Sequence, residues 1–339
     1  MKSRYVVFEK QGAVSVKTEE VSLDGLAPWE VVVRNEASLV SAGTELATLH
    51  NHESSVTYPV RSGYASVGRL LAAGEAVKDF KPGDRVFYAG KHAEVQRFLH
   101  GQDHQWGRLY PVPEGISSED AVFVCLAEIA MMAPLLAEPD PGDTVAVFGL
   151  GVIGNLSAQV FGQMGCSVIG LDPLGRRCEL AKKTGIGTVL AVPADQQVAA
   201  VKKMTGTGAR IAVDAAGHSA VVRSCVASVG LFGKVILLGS PRLPFSGDLT
   251  EVFHDIFLRG ITMRGGHMWQ LPAHDLRGAK KTVAWAYRTL FDWMLAGKIR
   301  VAPLRSHTAA IMDAPEIYRG LMEDKENYWG VVFRYPEKD

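Results

Sequence analysis

The stretch DTVAVFGLGVIGNLSAQVFGQMGCSVIGLDP, residues 143–173, constrains the fold more than any other part of the chain. Thr144–Phe148 is a short apolar run introduced by a Pro-Gly-Asp turn, and its composition predicts a strand. Gly149, Gly151 and Gly154 follow as G-x-G-x-x-G, with Val152 and Ile153 inside the spacing. Leu156, Val160 and Met164 then recur at helical intervals, and Ser167–Leu171 predicts a second strand. Asp172 ends that strand, 23 residues after the first glycine.

Each residue type has a task in such an arrangement. The first glycine allows the tight turn, the second lets backbone approach a pyrophosphate, and the third lets helix and strand pack closely. The helix start offers free N–H donors and the positive end of its dipole to the phosphates. Strand, glycine turn, helix, strand and acid in this order predict a dinucleotide site at Gly149, Gly151, Val152, Ile153 and Gly154. A carboxylate at Asp172 accepts both ribose hydroxyls and repels a 2′-phosphate, which favours NAD(H). Arg176 and Arg177 just beyond it are the opposing signal, since an arginine there recruits NADP. RIAVDAAG (210–217) and GKVILLGSP (233–241) read as further strands. Their carboxyl ends would face the ligand crevice of a doubly wound sheet, which puts Gly239 and Ser240 near the nicotinamide half. Two ordinary core strands are the alternative.

At 339 residues the chain is long enough for two domains. Residues 1–122 are rich in strand and turn signals, and PGD at 82–84 and again at 141–143 introduces a strand each time. Residues 123–265 carry the nucleotide-fold pattern. Beyond them, residues 280–296 predict an amphipathic helix with Val283, Tyr287, Leu290, Phe291 and Met294 on one face and Gly297 as its stop. Asp313 and Glu316 form a D-x-x-E cap for a short helix through Met322, and WGVVFRY is a closing strand. The simplest topology returns residues 266–339 to the first domain, with the nucleotide domain inserted between.

Lysine plus arginine equals aspartate plus glutamate at 36 each, with no basic stripe, which argues against a nucleic-acid partner. Cys125, Cys166, Cys178 and Cys225 lack paired spacing, so no disulfide framework is expected and a reducing cytoplasm fits. The N-terminal apolar run is too short for a signal peptide, and no apolar run approaches the roughly 20 residues of a membrane helix. A small-molecule substrate and a homodimer or homotetramer are the expected partners.

The order of AGTEL (42–46), GYASVG (63–68), FKPGDRV (80–86), KHAEV (91–95), PGDTVAVFGLGVIG and LLGS resembles the medium-chain dehydrogenase/reductases, the superfamily of alcohol and polyol dehydrogenases. The resemblance spans essentially the whole chain. It implies an α/β architecture: a GroES-like, β-rich catalytic domain beside a Rossmann domain, with NAD(P)-dependent hydride transfer. Zinc-dependent members carry a cysteine before the Gly-Thr-acid run, a His-Glu pair after the next glycine, and a later Cys or Glu. The corresponding positions here are Ala42, Tyr64 with Ala65, and Cys125. One thiol cannot replace the three protein ligands of a catalytic zinc. The four close cysteines of the structural zinc site are missing from residues 95–112 as well. His50, His52 and Glu53 in HNHE match no known ligand spacing and read better as a solvated loop. SAGTEL with GYASVG is similar to the zinc-lacking group that includes bacteriochlorophyllide dehydrogenases, although Ala65 departs from its Gly-Tyr-Glu. Zinc-free quinone reductases differ in the glycine turn and prefer NADPH.

Without zinc, side chains must supply the proton and stabilise the oxyanion. Tyr64 occupies the aligned position of a metal-bound histidine, so the resemblance implies a hydroxyl facing the reacting carbon. A phenol suits carbonyl reduction as an acid. Lys91 or His92 could favour the phenolate, Thr44 stands at the family's proton-relay hydroxyl, and Glu45 completes the candidate set. The plain alternatives are a packed turn tyrosine, a solvated Lys91, a structural His92 and a Glu45 that holds a loop. His267 and Trp269 would line substrate or a dimer contact. The sequence thus reads as a zinc-independent, NAD(H)-dependent oxidoreductase interconverting a secondary alcohol and a ketone on a polyol, cyclitol or sugar-derived substrate. The rivals are a metal-dependent dehydrogenase with an atypical site and a non-catalytic NAD(H) sensor.

Overall fold

The computed structural model describes residues 1–52, 56–101, 107–242, 245–273 and 278–335. The chain divides into two compact units, one formed by Met1–Cys125, Leu271–Leu295 and Arg305–Asp339, the other by Leu126–Gln270 and Ala296–Leu304.

The first unit is mostly sheet. Its strands are β1 (Lys2–Lys10), β2 (Ala13–Glu20), β3 (Glu30–Leu39), β4 (Val60–Arg61), β5 (Ser66–Ala73), β6 (Arg85–Tyr88), β7 (Val95–Leu99) and β8 (Tyr110–Pro111). Two short helices lie among them, α1 (Ala42–Leu49) and α2 (Ser118–Ala121), and α3 (Val124–Ala137) leads into the second unit. β1 buries three consecutive apolar residues, Val6, Val7 and Phe8, so it meets protein on both faces there.

The second unit alternates strand and helix: β9 (Thr144–Phe148), α4 (Val152–Gln163), β10 (Ser167–Leu171), α5 (Gly175–Lys183), β11 (Thr188–Leu190), α6 (Gln197–Thr205), β12 (Ala209–Asp214), α7 (Ser219–Ser228), β13 (Val229–Leu237), α8 (Leu249–Arg259) and β14 (Thr262–Gly265). All its strand pairs are parallel, in the spatial order β11-β10-β9-β12-β13-β14. The order reverses between β9 and β12, the switch point at whose carboxyl ends such sheets bind ligands.

The chain then returns to the first unit through α9 (Val283–Leu295), β15 (His307–Ala309), α10 (Ala314–Glu323) and β16 (Val331–Arg334). Val283, Tyr287, Leu290, Phe291 and Met294 of α9 are its buried face, as their spacing predicts, and the Tyr287 ring packs edge-on against Phe87 and Tyr110. β16 pairs with β3 and β15, completing the sheet β15-β16-β3-β5-β6-β8, with β7 also on β3. Ala296–Leu304 stays with the second unit: Gln159 of α4 exchanges hydrogen bonds with the Arg300 backbone at 2.7 and 3.2 Å, and Gln163 donates to the Lys298 carbonyl.

Both PGD turns form in the same way. Gly83 and Gly142 have φ of +94° and +93°, and Asp84 and Asp143 each accept the N–H three residues back. Two expectations need correction. Asp313 does not cap α10 with its side chain; its carboxylate accepts the Ala310 N–H and closes the preceding turn instead. Pro315 in the first helical turn lacks an N–H, which removes one of the donors a cap would serve. The segment Ser118–Ala137 is also long and apolar enough to cross a membrane, contrary to the reading of short apolar runs. Most of it is buried inside the fold, so its apolarity serves a core helix.

Candidate functional site

In the first unit the candidate residues gather around the start of α1. Ser41 precedes the helix, and its N–H donates to Glu45 Oε1 at 2.7 Å, one turn on. The Tyr64 hydroxyl donates a short hydrogen bond to Ser41 Oγ, and the Thr44 hydroxyl also hydrogen-bonds the phenol. Burial raises the Tyr64 pKa, with the Cys125 thiol adding to the effect, so the phenol keeps its proton well above neutral pH. Cys125 Sγ lies 3.8 Å from the Tyr64 carbonyl oxygen.

Beneath this lies a buried polar network. Glu45 Oε2 accepts from Ser62 Oγ at 2.5 Å, from His92 Nε2 at 3.0 Å and, in a short bond, from the Tyr318 hydroxyl. His92 Nδ1 meets Ser38 Oγ at 2.7 Å, and Ser38 meets the Tyr335 hydroxyl at 2.7 Å. Burial alone would raise the Glu45 pKa, but the His92 charge and these donors bring it below the ordinary value. His92 and Glu45, expected among the catalytic groups, lie inside the fold in this network. Both ring nitrogens of His92 are committed within the fold, and both residues are almost fully buried. Glu45 links α1 to Ser62 and His92 through these bonds. Lys91 is exposed, its N–H donates to Gln96 Oε1, and crowding by protein atoms lowers its pKa while Glu45 opposes the shift.

The metal positions of the family come together in the same place, and their chemistry does not fit a zinc ion. Ala42 and Ala65 present methyl groups, the Tyr64 phenol is engaged by Ser41, and Cys125 alone offers a thiol. Among the described residues no three His, Cys, Asp or Glu side chains converge. His50 and His52 of the HNHE stretch are described; Glu53 lies outside the described residues.

The second unit holds the other half of the candidate set. Gly149 has φ +92°, and a side chain there would press on the Ala216 backbone N at 3.1 Å. A Cβ on Gly154 would fall 1.9 Å from the Gly149 carbonyl oxygen and 2.9 Å from Ala215 Cβ, so helix and strands touch there. A Cβ on Gly151 would meet nothing within 4 Å, which leaves the room a pyrophosphate needs. No side chain caps α4, whose first turn carries Val152 and Ile153, and its leading N–H groups are free to hold an anion. Asp172 is buried at the end of β10, with Oδ2 accepting the Leu150 N–H at 2.8 Å and Oδ1 the Leu174 N–H at 2.9 Å. Arg177 Nη1 is 3.5 Å from Asp172 Oδ2. A carboxylate oxygen has a second lone pair, so this aspartate retains capacity for ribose hydroxyls. Gly239 follows β13, donates to the Asp214 carbonyl at 2.7 Å and packs so closely on Gly217 that a Cβ would sit 2.3 Å from its N; Ser240 beside it is exposed. These residues fit a dinucleotide.

Sequence reasoning missed Ser41, Ser62, Tyr318 and Tyr335. Ser41 carried a signal, standing four residues before Glu45 at a helix start. Tyr318 and Tyr335 come from the far end of the chain, and only the fold brings them here.

Comparisons with known proteins find similarity to dehydrogenases. The zinc-binding dehydrogenase family profile matches residues 151–285. An alcohol dehydrogenase of Geobacillus stearothermophilus is 25% identical over 95% of this chain and 96% of its own. A sorbitol dehydrogenase of Bacillus subtilis is 26% identical over 60% of this chain and 67% of its own. The crystal structure of galactitol-1-phosphate dehydrogenase from Escherichia coli superposes with a TM-score of 0.82 at 20% identity, covering 98% of this chain and 100% of the other. The chain thus shares the fold of these dehydrogenases, and over residues 151–285 it is similar to the zinc-binding dehydrogenase family.

Proposed function

We propose that the protein is an NAD(H)-dependent oxidoreductase that interconverts a secondary alcohol and a ketone without a catalytic zinc. A polyol, cyclitol or sugar-derived substrate fits best, since the Bacillus subtilis relative is a sorbitol dehydrogenase. The observation that carries the reading is Tyr64: a phenol replaces the family's metal-binding histidine and is held by Ser41 and Thr44, where one thiol is the remaining metal donor.

Bound nicotinamide supplies the hydride chemistry. The residues of this chain manage the proton and the charge. Tyr64 holds a proton on its hydroxyl at neutral pH and gives it to the oxygen of a carbonyl as that oxygen gains charge. Ser41 and Thr44, already hydrogen-bonded to the phenol, are the hydroxyls through which the proton is replaced. Asp172 selects the unphosphorylated ribose, and the α4 start with Gly149 and Gly151 holds the pyrophosphate. The zinc-lacking branch of the superfamily accounts for Ala42, Tyr64 and Ala65 together.

The test is turnover of untagged protein on a panel of polyols, cyclitols and their ketones, with either cofactor and with a chelator present. NAD(H)-dependent turnover that survives chelation, with well under one zinc per chain by elemental analysis, supports the proposal. Stoichiometric zinc, with activity lost on chelation and restored by the metal, refutes it. NADH binding without turnover on any substrate points to a sensor.

A further inference from the structure

The second unit holds a cavity at the opposite end of its sheet from the glycine turn. It measures about 540 Å³, within the roughly 300–1,000 Å³ of small-molecule sites. Thr144 and Ser167, which line it, begin β9 and β10, whereas the dinucleotide residues follow the ends of those strands. Four steps along β9, at about 3.3 Å each, separate the two by at least about 13 Å. Residues 296–304 complete the wall: Lys298 lines the cavity, and its carbonyl accepts Gln163 Nε2 at 3.2 Å.

The lining is polar, and its charges oppose each other. Thr144, Ser167 and Thr188 start β9, β10 and β11, and their hydroxyls have no hydrogen-bond partner among the described residues. Thr144 and Ser167 are register partners on strands about 4.8 Å apart, close enough to hold neighbouring hydroxyl groups of one ligand. α4, α5 and α6 all end at the cavity, with Gln163, Thr184 and Thr205 in its wall. Helix C-termini carry partial negative charge on their last carbonyls, which disfavours an anion. Among the described residues Lys298 is the one full charge in the lining, and it disfavours a cation. Just outside stands one charge of each sign: Asp143, which adds to burial in raising the Cys166 thiol, and Arg300, whose Nη1 borders Gly185. A hydroxyl both donates and accepts, so it suits carbonyls, hydroxyls and an ammonium together.

We infer that this cavity is a second binding site, for a small uncharged polyhydroxylated molecule of the polyol or sugar class. The inference is independent of the proposed reaction, since it uses none of the residues assigned there. Lys298 Nζ and the Thr144, Ser167 and Thr188 hydroxyls are its donors. The same hydroxyls and Gln163 Oε1 are its acceptors, the Gln163 Nε2 being already given to the Lys298 carbonyl. Gly162 and Gly187 give the cavity its width, because a Cβ on either would meet nothing within 4 Å. A larger side chain at Gly162 therefore fills the space without a clash, and within a helix leucine is preferred to glycine.

The test follows the backbone amide resonances of the full chain, isotope-labelled at glycine, as sorbitol or myo-inositol is added. Gly162, Gly185 and Gly187 should shift saturably, while Gly149, Gly151 and Gly154 of the glycine turn stay unchanged. Gly162→Leu should abolish the shifts at Gly185 and Gly187 and leave the glycine-turn resonances in place, which reports that the unit is folded. Thr144→Val keeps the shape and removes one hydroxyl, so it should weaken binding about two- to tenfold. No shift at the cavity glycines with either polyol, or shifts that persist in Gly162→Leu, overturns the inference. A response to inorganic phosphate or to spermidine in place of the polyols overturns the assignment to an uncharged ligand. Undiminished binding by Thr144→Val overturns the part given to the strand hydroxyls.

Discussion

Tyr64→Phe removes one oxygen and keeps the ring, so it separates proton transfer from packing. General acid catalysis contributes about a hundredfold to ten-thousandfold. Turnover should fall on that scale while NADH affinity, measured by fluorescence titration, stays unchanged. A purely packing tyrosine would leave turnover near normal and lower stability by about 1 kcal/mol. Ser41→Ala leaves the phenol its Thr44 partner and should reduce turnover less. At the other end of the set, Asp172 faces a different choice. Its carboxylate is fixed by the Leu150 and Leu174 N–H groups, and Arg177 stands 3.5 Å away. Titration should show tighter binding of NADH than NADPH. Asp172→Ala should narrow the difference, because the repulsion goes and Arg177 remains. Tighter NADPH in the unaltered protein would mean that Arg177 governs the site.

Among the elements, the glycine turn was the most legible part of the chain, because each glycine answers a local steric demand. Gly154→Ala would put a methyl group 1.9 Å from the Gly149 carbonyl oxygen, where backbone must move. The variant should lose cofactor affinity and at least 1–3 kcal/mol of stability, seen as a lower urea midpoint. The PGD turns and α9 were legible for the same reason, since their signals lie within a few residues of the structure they make. Asp313 shows where local reading stops. It stands at the right place for a helix cap, yet the preceding turn offers the Ala310 N–H and takes its carboxylate. His92 shows the limit at longer range. A histidine in KHAEV carries no mark of burial, and its role follows from Ser38, Glu45 and Tyr335 arriving from other segments.

At the scale of the whole molecule, two buried carboxyls set opposite limits on the pH range of stability. Glu45 is held below its ordinary pKa by His92, Ser62 and Tyr318, and it ties α10 to the N-terminal strands. Its contribution is present above the unfolded value and is lost as pH falls through the lower folded value. Tyr318→Phe removes one donor from this buried carboxylate and should cost about 1–3 kcal/mol. Glu128 in α3 is fully buried, and both its oxygens lack a partner among the described residues. Burial raises it from 4.5 to about 8, so the folded chain keeps a proton that the unfolded chain has already released. Between those values stability falls as pH rises, by about 1.4 kcal/mol per unit where the difference is a full proton. Above the folded value the slope ends. Glu128→Gln keeps the shape without the titration, so its melting temperature should stay level across that window where the unaltered protein's declines. The acid limb, which belongs to Glu45, should persist in the variant. Parallel curves for the two proteins from pH 5 to 8 would show that Glu128 finds a donor in solution and that its proton plays no part in stability.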